Sequence, residues 1–164
     1  MKSIALAILL AVPAAGLARP AAPSIYTDGT HGFRIQAPAF PKTKIGSVIP
    51  VMFLGPPNEG FSPNANVMVQ YTNAGLEGYR ELTLGQFKAS GMTVHAVENR
   101  KVSGRDALFF DYSGRQGTRD LRWLALAVVE KDRVFLTTCT APKDDFPALE
   151  KEFRACLGSF SVAD

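Results

Sequence analysis

Seven apolar residues follow one another without a break in Trp123-Leu124-Ala125-Leu126-Ala127-Val128-Val129. A continuous run of this length, ending at a tight turn, predicts a strand covered on both faces and so central in a sheet. The strand extends over 120–130. Lys131 and Asp132 form a two-residue turn, and 133–140 runs back. Upstream, 93–100 and 106–112 read as strands about the turn Val102-Ser103-Gly104-Arg105, and 113–118 as a polar loop. Four strands with short connections make an antiparallel meander.

The flanking chain supplies the other elements. Gly32-Phe33-Arg34-Ile35-Gln36-Ala37-Pro38 alternates apolar and polar residues, predicting a half-buried strand that stops at Pro38. A strand over 48–54 closes at Gly55-Pro56-Pro57, and 55–65 is a long Pro/Asn/Gly loop. The next strand, 66–72, sets Val67 and Val69 on one face and Met68 and Gln70 on the other. Leu76, Tyr79, Leu82, Thr83, Phe87 and Ser90 fall near helical spacing, predicting a helix over 76–90 that stops at Gly91. Thr83-Leu84-Gly85-Gln86 matches a capping box and offers a later start. Near the C-terminus, Phe146, Leu149, Phe153, Cys156, Leu157 and Phe160 form one apolar stripe, with Pro147 suited to a helix's first turn. Seven short strands and two helices lack the crossovers of a doubly wound sheet. The expected class is α+β: an antiparallel sheet of six to seven strands with helices packed on it.

The N-terminus carries an address. Lys2 precedes the apolar run 4–12, and Ala14-Ala15-Gly16-Leu17-Ala18 suits signal peptidase. That order is a secretory signal, with cleavage expected after Ala18. The uncharged stretch is shorter than the roughly 20 apolar residues of a membrane span. Removing 18 of 164 residues leaves 146, and the formal charge falls from +3 to +2 with the loss of Lys2. That charge makes no case for nucleic acid. The expected organisation is a signal at 1–18, a flexible lead-in at 19–30 and one domain at 31–164. An exported, periplasmic or secreted protein that does not span the membrane follows.

Three stretches together carry a family resemblance. They are 32–38, then Phe61-Ser62-Pro63-Asn64-Ala65-Asn66-Val67-Met68-Val69, and then the C-terminal half. That half runs Gly104-Arg105-Asp106-Ala107-Leu108-Phe109-Phe110-Asp111-Tyr112, then 133–141, and ends Leu157-Gly158-Ser159-Phe160. In this order they resemble PsbP-like or DcrB-like proteins over roughly 31–162. The resemblance implies an α-β-α sandwich around an antiparallel sheet and a non-enzymatic role. Members serve as exported accessory proteins, as lumenal photosystem II subunits or as a binder of the GTPase Ran. They share no common active site, so no functional residue is carried over.

The candidate chemistry is sparse. Cys139 and Cys156 are the only thiols. Export favours a disulfide, worth about 3 kcal/mol for a loop of this length. Against it, Cys156 sits about 15 Å along its helix, whereas a bridge needs Cα atoms within about 7 Å. A bridge and two buried free thiols therefore stand as equal readings. His31 and His95 lie far apart in sequence without metal-ligand spacing, so they read as ordinary strand residues and no metal or cofactor is expected. Gly-x-Ser-x-Gly is absent from the chain. Arg100, Lys101, Arg105, Arg115, Arg119 and Arg122 cluster in the meander, but Glu98, Asp106, Asp111 and Asp120 balance them as a solvated face. Asn64 and Asn66 flank the third strand and read as turn residues satisfying local backbone. Because loops carry sites more often than cores, the expected contact surface joins the 55–65 and 113–119 loops through Asn58, Phe61, Asn64, Arg115, Arg119 and Arg122.

The leading functional reading is thus a non-enzymatic envelope protein acting through a protein partner. The alternatives are a small-ligand binder with a pocket between sheet and helix, and a hydrolase with an unrecognised site.

Overall fold

A computed structural model describes residues 24–43 and 49–163. The central apolar run lies in β8 (Arg119–Val129). Leu124, Leu126 and Val128 enter a core on one face, while Trp123, Ala125 and Ala127 enter a second core on the other. Burial on both faces is what the unbroken run predicts.

The chain order is β1 (Ile25–Asp28), β2 (Phe33–Gln36), β3 (Lys42–Thr43), β4 (Val51–Leu54), β5 (Asn64–Tyr71), α1 (Gly75–Ala89), β6 (Thr93–Val102), β7 (Arg105–Gln116), β8, β9 (Arg133–Pro142), α2 (Phe146–Gly158) and β10 (Ser161–Val162). Seven strands form one sheet in the order β3-β4-β5-β9-β8-β7-β6. Its ladders are antiparallel throughout. A second sheet pairs β1-β2-β10 and brings the two ends of the domain together. The architecture is α+β.

Each helix covers one face of the large sheet. The α2 stripe packs as expected: Phe146, Phe153, Cys156 and Leu157 join Phe33, Val67, Phe135 and Phe160 in one core. Phe153 meets Phe146 edge-on at 5.8 Å between centroids and Phe40 at 6.3 Å. On the opposite face, Tyr79 and Phe87 of α1 pack on Leu108, Phe110, Tyr112 and Trp123. There Phe87 lies 4.2 Å from Tyr112, which stacks on Trp123 at 5.2 Å.

Several boundaries differ from expectation. Helix α1 starts at Gly75, so Thr83 is interior and its capping box goes unused. Leu82, expected on the packed face, is exposed, and Leu84 packs against the core instead. The expected polar loop 113–118 is mostly ladder: Ser113 pairs with Arg122 and Gln116 with Arg119. Only Gly117 and Thr118 remain as the turn, with Gly117 at φ +61°, the left-handed geometry a two-residue hairpin needs. Strand β5 begins at Asn64, two residues earlier than expected. Ile25–Asp28, expected in a flexible lead-in, is a strand on β2. The expected signal at 1–18 and residues 19–23 lie outside the described residues, as does part of the strand expected over 48–54. Among the described residues, no helix is long and apolar enough to cross a membrane.

Candidate functional site

Three segments meet at one end of the large sheet. The 55–63 loop arrives from β4, the β7–β8 hairpin turns there, and β9 hands over to α2. Between them opens a cleft of about 450 Å³. Asn58 and Glu59 line it from the loop, Arg119 and Asp120 from the hairpin, and Pro142, Lys143, Asp144 and Asp145 from the β9–α2 connection.

Specific bonds hold the walls. The Asn58 and Phe61 backbones exchange two hydrogen bonds, of 2.8 and 3.0 Å, which curls the loop tip. Gly60 at the tip has φ +75°, and a Cβ there would lie 3.1 Å from Arg119 Nη2. A side chain at this position would thus be strained and would press on the guanidinium. Arg119 Nη2 donates to the Glu59 carbonyl at 2.5 Å, and Asn58 Nδ2 donates to Asp145 Oδ2 at 3.1 Å. The Lys143 N–H donates to the Asp120 carbonyl at 3.0 Å, fixing the third wall. Four carboxylates (Glu59, Asp120, Asp144 and Asp145) face two cations, Arg119 and Lys143. The cleft therefore presents an excess of negative charge, which favours a cationic partner.

The expected contact surface is only partly assembled. Asn58 and Arg119 come together across the cleft. Phe61 is buried in the α1-side core. Asn64 is fully buried, its Nδ2 donating to the Ser62 carbonyl at 3.1 Å. Asn66 is buried as well, inside β5 rather than in a turn. Arg115 bonds the Gly117 carbonyl at 3.4 Å within its own hairpin. Arg122 points to the α2 side, clamping Asp111 by bonds of 3.0 and 2.8 Å and lying 4.7 Å over the Phe146 ring. Alternation along a strand explains the split, because residues 119 and 122 fall on opposite faces. The Lys143-Asp144-Asp145 run is absent from the expected site residues. A charged run at a strand–helix junction is the sequence signal for it.

The thiols are neighbours without a bond. Cys139 and Cys156 lie 4.2 Å apart, and both are buried free cysteines. Of the two readings, the structure holds the free-thiol one. Cys156 does sit far along α2, but the helix runs back over β9, so distance along the helix does not separate the two thiols. Cys139 Sγ lies 3.9 Å from the Phe153 carbonyl. Burial, and then the neighbouring Cys156, push the Cys139 thiol well above its ordinary range.

The histidines are separate. His31 Nδ1 lies 3.0 Å from Asp28 Oδ1 beside the small sheet. His95 sits at a bulge in β6, its Nε2 2.8 Å from Ser113 Oγ on the exposed sheet surface. Among the described residues, no group of three His, Cys, Asp or Glu side chains gathers to hold a metal.

No family model matches the chain, and no curated protein does. Solved structures do. Cyanobacterial PsbP from Synechocystis superposes with a TM-score of 0.61 at 16% identity, covering 91% of this chain and 96% of that one. LpqN of Mycobacterium tuberculosis, described as involved in cell envelope biogenesis, gives 0.60 at 13% identity, covering 89% and 87%. PA94 of Pseudomonas aeruginosa, a protein of unknown function, gives 0.55 at 16%, covering 80% and 91%. At such identities the likeness shows the fold alone. Ladder order, helix placement and these superpositions agree that the chain has a PsbP-like fold.

Proposed function

We propose that the chain is an exported, non-enzymatic accessory protein of the cell envelope that docks a protein partner at the cleft end of its domain. One observation carries this reading: three separate chain segments are tied to one another by hydrogen bonds into a charged cleft. Such ties hold the walls in register while leaving Glu59 and Asp144 exposed to a partner. The excess of carboxylates points to a basic surface or segment on that partner. The secretory pattern at 1–18 supports an envelope address, as does the described role of LpqN in envelope biogenesis.

The test is crosslinking and capture from native envelope at low salt, with the double charge reversal Glu59→Lys and Asp144→Lys as the control. Both positions are exposed, so the variant folds. A partner that the parent captures and the reversal loses supports the reading. Equal capture by both proteins overturns it. N-terminal sequencing of the exported protein is expected to begin at Arg19.

The hydrolase alternative has one observation in its favour, the His95–Ser113 contact. The pair lies on an exposed face outside the cleft, and among the described residues no carboxylate orients His95. A nucleophile–base pair ordinarily needs that third group. Hydrolysis of p-nitrophenyl acetate that is lost in Ser113→Ala would revive this alternative.

A further inference from the structure

The side of the large sheet that α1 packs on carries a block of buried polar groups with nothing to bond. Asn64 Oδ1, both amide atoms of Asn66, Thr138 Oγ1 and Thr140 Oγ1 have no hydrogen-bond partner, and all four residues are at most 4% exposed. They are adjacent. Asn64 pairs with Thr140 and Asn66 with Thr138 across β5 and β9, so the four side chains rise as a two-by-two block. Across β8 the same rows continue to Trp123 and Ala125. Across β4 they continue to Leu54 and Met52. The block is therefore uncharged, bordered by apolar groups, and able both to donate and to accept.

Buried polar groups are nearly always bonded, so a cluster of unbonded ones calls for a reason. The same strand answers the problem two pleats on, where Gln70 Oε1 accepts a 2.7 Å bond from Tyr79 of α1. At Asn66 no side chain takes that role. The neighbouring loop bears on the block. Ser62 offers its carbonyl to Asn64, and Phe61 packs in the cluster that holds Trp123. Two solvent-exposed bonds, Arg119 to Glu59 and Asn58 to Asp145, fasten that loop. Pro142, one pleat beyond Thr140, already lines the open cleft.

We infer that the Asn64–Asn66–Thr138–Thr140 block is the floor of a binding site for a small uncharged ligand bearing hydroxyl and amide groups, reached when the 55–63 loop lifts. Paired amides and hydroxyls match such groups in both directions, and an ionic ligand would meet no counter-charge on the block. This site differs from the partner-docking surface in using the sheet face and not the rim carboxylates, and the loop movement that opens it parts the two bonds that hold the cleft walls.

The probe is N-acetylglucosamine, which carries an amide and several hydroxyls on one uncharged ring. Galacturonate is its charged counterpart. Calorimetry and thermal melts of the purified full chain are expected to show saturable stabilisation by the first and none by the second. Thr138→Val is expected to bind about tenfold more weakly, as loss of one hydrogen bond implies. Its own melting temperature should stay level or rise, because valine removes an unbonded hydroxyl without changing shape. Thr140→Val serves as the second variant. Absence of saturable stabilisation overturns the site, leaving a block that holds water only. Binding by both valine variants as tight as the parent's overturns it too. A fall of several degrees in their melting temperatures would mean that the hydroxyls are already bonded, and would also overturn it.

Discussion

Cys156 on α2 lies 4.2 Å from Cys139 on β9, and the two thiols are buried without a bond between them. Burial and the neighbouring sulfur hold the Cys139 thiolate out of reach at neutral pH, and the thiolate is the reactive form. The native protein is therefore expected to be inert to a thiol reagent such as dithionitrobenzoate. After unfolding without reductant, two thiols per chain should react. Failure of any thiol to appear on unfolding would show that the pair is oxidised.

The same helix supports a packing prediction. Phe153 is fully buried and contacts Phe146 and Phe40 edge-on. Truncation to alanine is expected to cost about 3–5 kcal/mol in urea unfolding, the usual range for emptying an aromatic core position. A loss under 1 kcal/mol would mean that α2 collapses into the space or contributes little to the fold.

How much of this could be read in advance depends on how local the signal is. The run at 123–129 announces β8 because burial on both faces is written residue by residue, and the α2 stripe is legible in the same way. The four-residue β1 and the two-residue β10 are not, because both are too short to carry a period, and β10 reaches β2 only across the length of the domain. Residues 113–116 look like a loop from their polarity, yet they extend β7 because the β8 backbone supplies every partner. In the candidate site, Asn58 and Arg119 are legible as loop polar groups. Asp144 and Asp145 become part of it only when the β9–α2 junction folds against them. Arg122 shows the opposite failure: sequence proximity to Arg119 says nothing about which face it occupies.

Arg122 and Arg115 should separate cleanly on substitution. Arg122 makes two bonds to Asp111, whose carboxylate is nearly buried. Arg122→Ser leaves that charge poorly paired and is expected to cost about 2 kcal/mol. Arg115 is exposed and bonds only its own hairpin, so Arg115→Ser should stay within about 0.5 kcal/mol. Equal losses in denaturant melts would mean that the Asp111 clamp does not stabilise the sheet.

Acid stability should respond to Glu130. Burial pushes its carboxyl upward, but bonds from Arg133 at 2.5 Å and Arg105 at 2.7 Å outweigh this and hold it below its ordinary value of 4.5. A depressed folded value gives stability that is present above the unfolded value and lost as pH falls through the folded one. The parent is therefore expected to lose stability as pH drops below 4.5, and Glu130→Gln to lose less over the same window. Stability curves of the two proteins that run parallel below that pH would rule out this contribution.

The loop beside the cleft gives a last, paired prediction. Gly55 bonds the Pro63 carbonyl at 2.7 Å and so closes the base of the 55–63 loop. A Cβ at Gly55 would stand 2.9 Å from the Phe40 ring and 3.1 Å from that carbonyl. The ring is buried and the carbonyl is backbone, so neither can move aside cheaply. Gly55→Ala is thus expected to cost about 1–3 kcal/mol and to open 55–63 to limited proteolysis. Gly85 is the control: it lies exposed in α1, and a methyl group added there would meet no atom within 4 Å. Gly85→Ala should stabilise by about 0.5–1 kcal/mol, the helix-propensity gain alone, and leave the proteolysis pattern unchanged. If Gly55→Ala melts and digests like the parent while Gly85→Ala behaves as expected, the loop base is not the rigid anchor that the Phe40 contact describes.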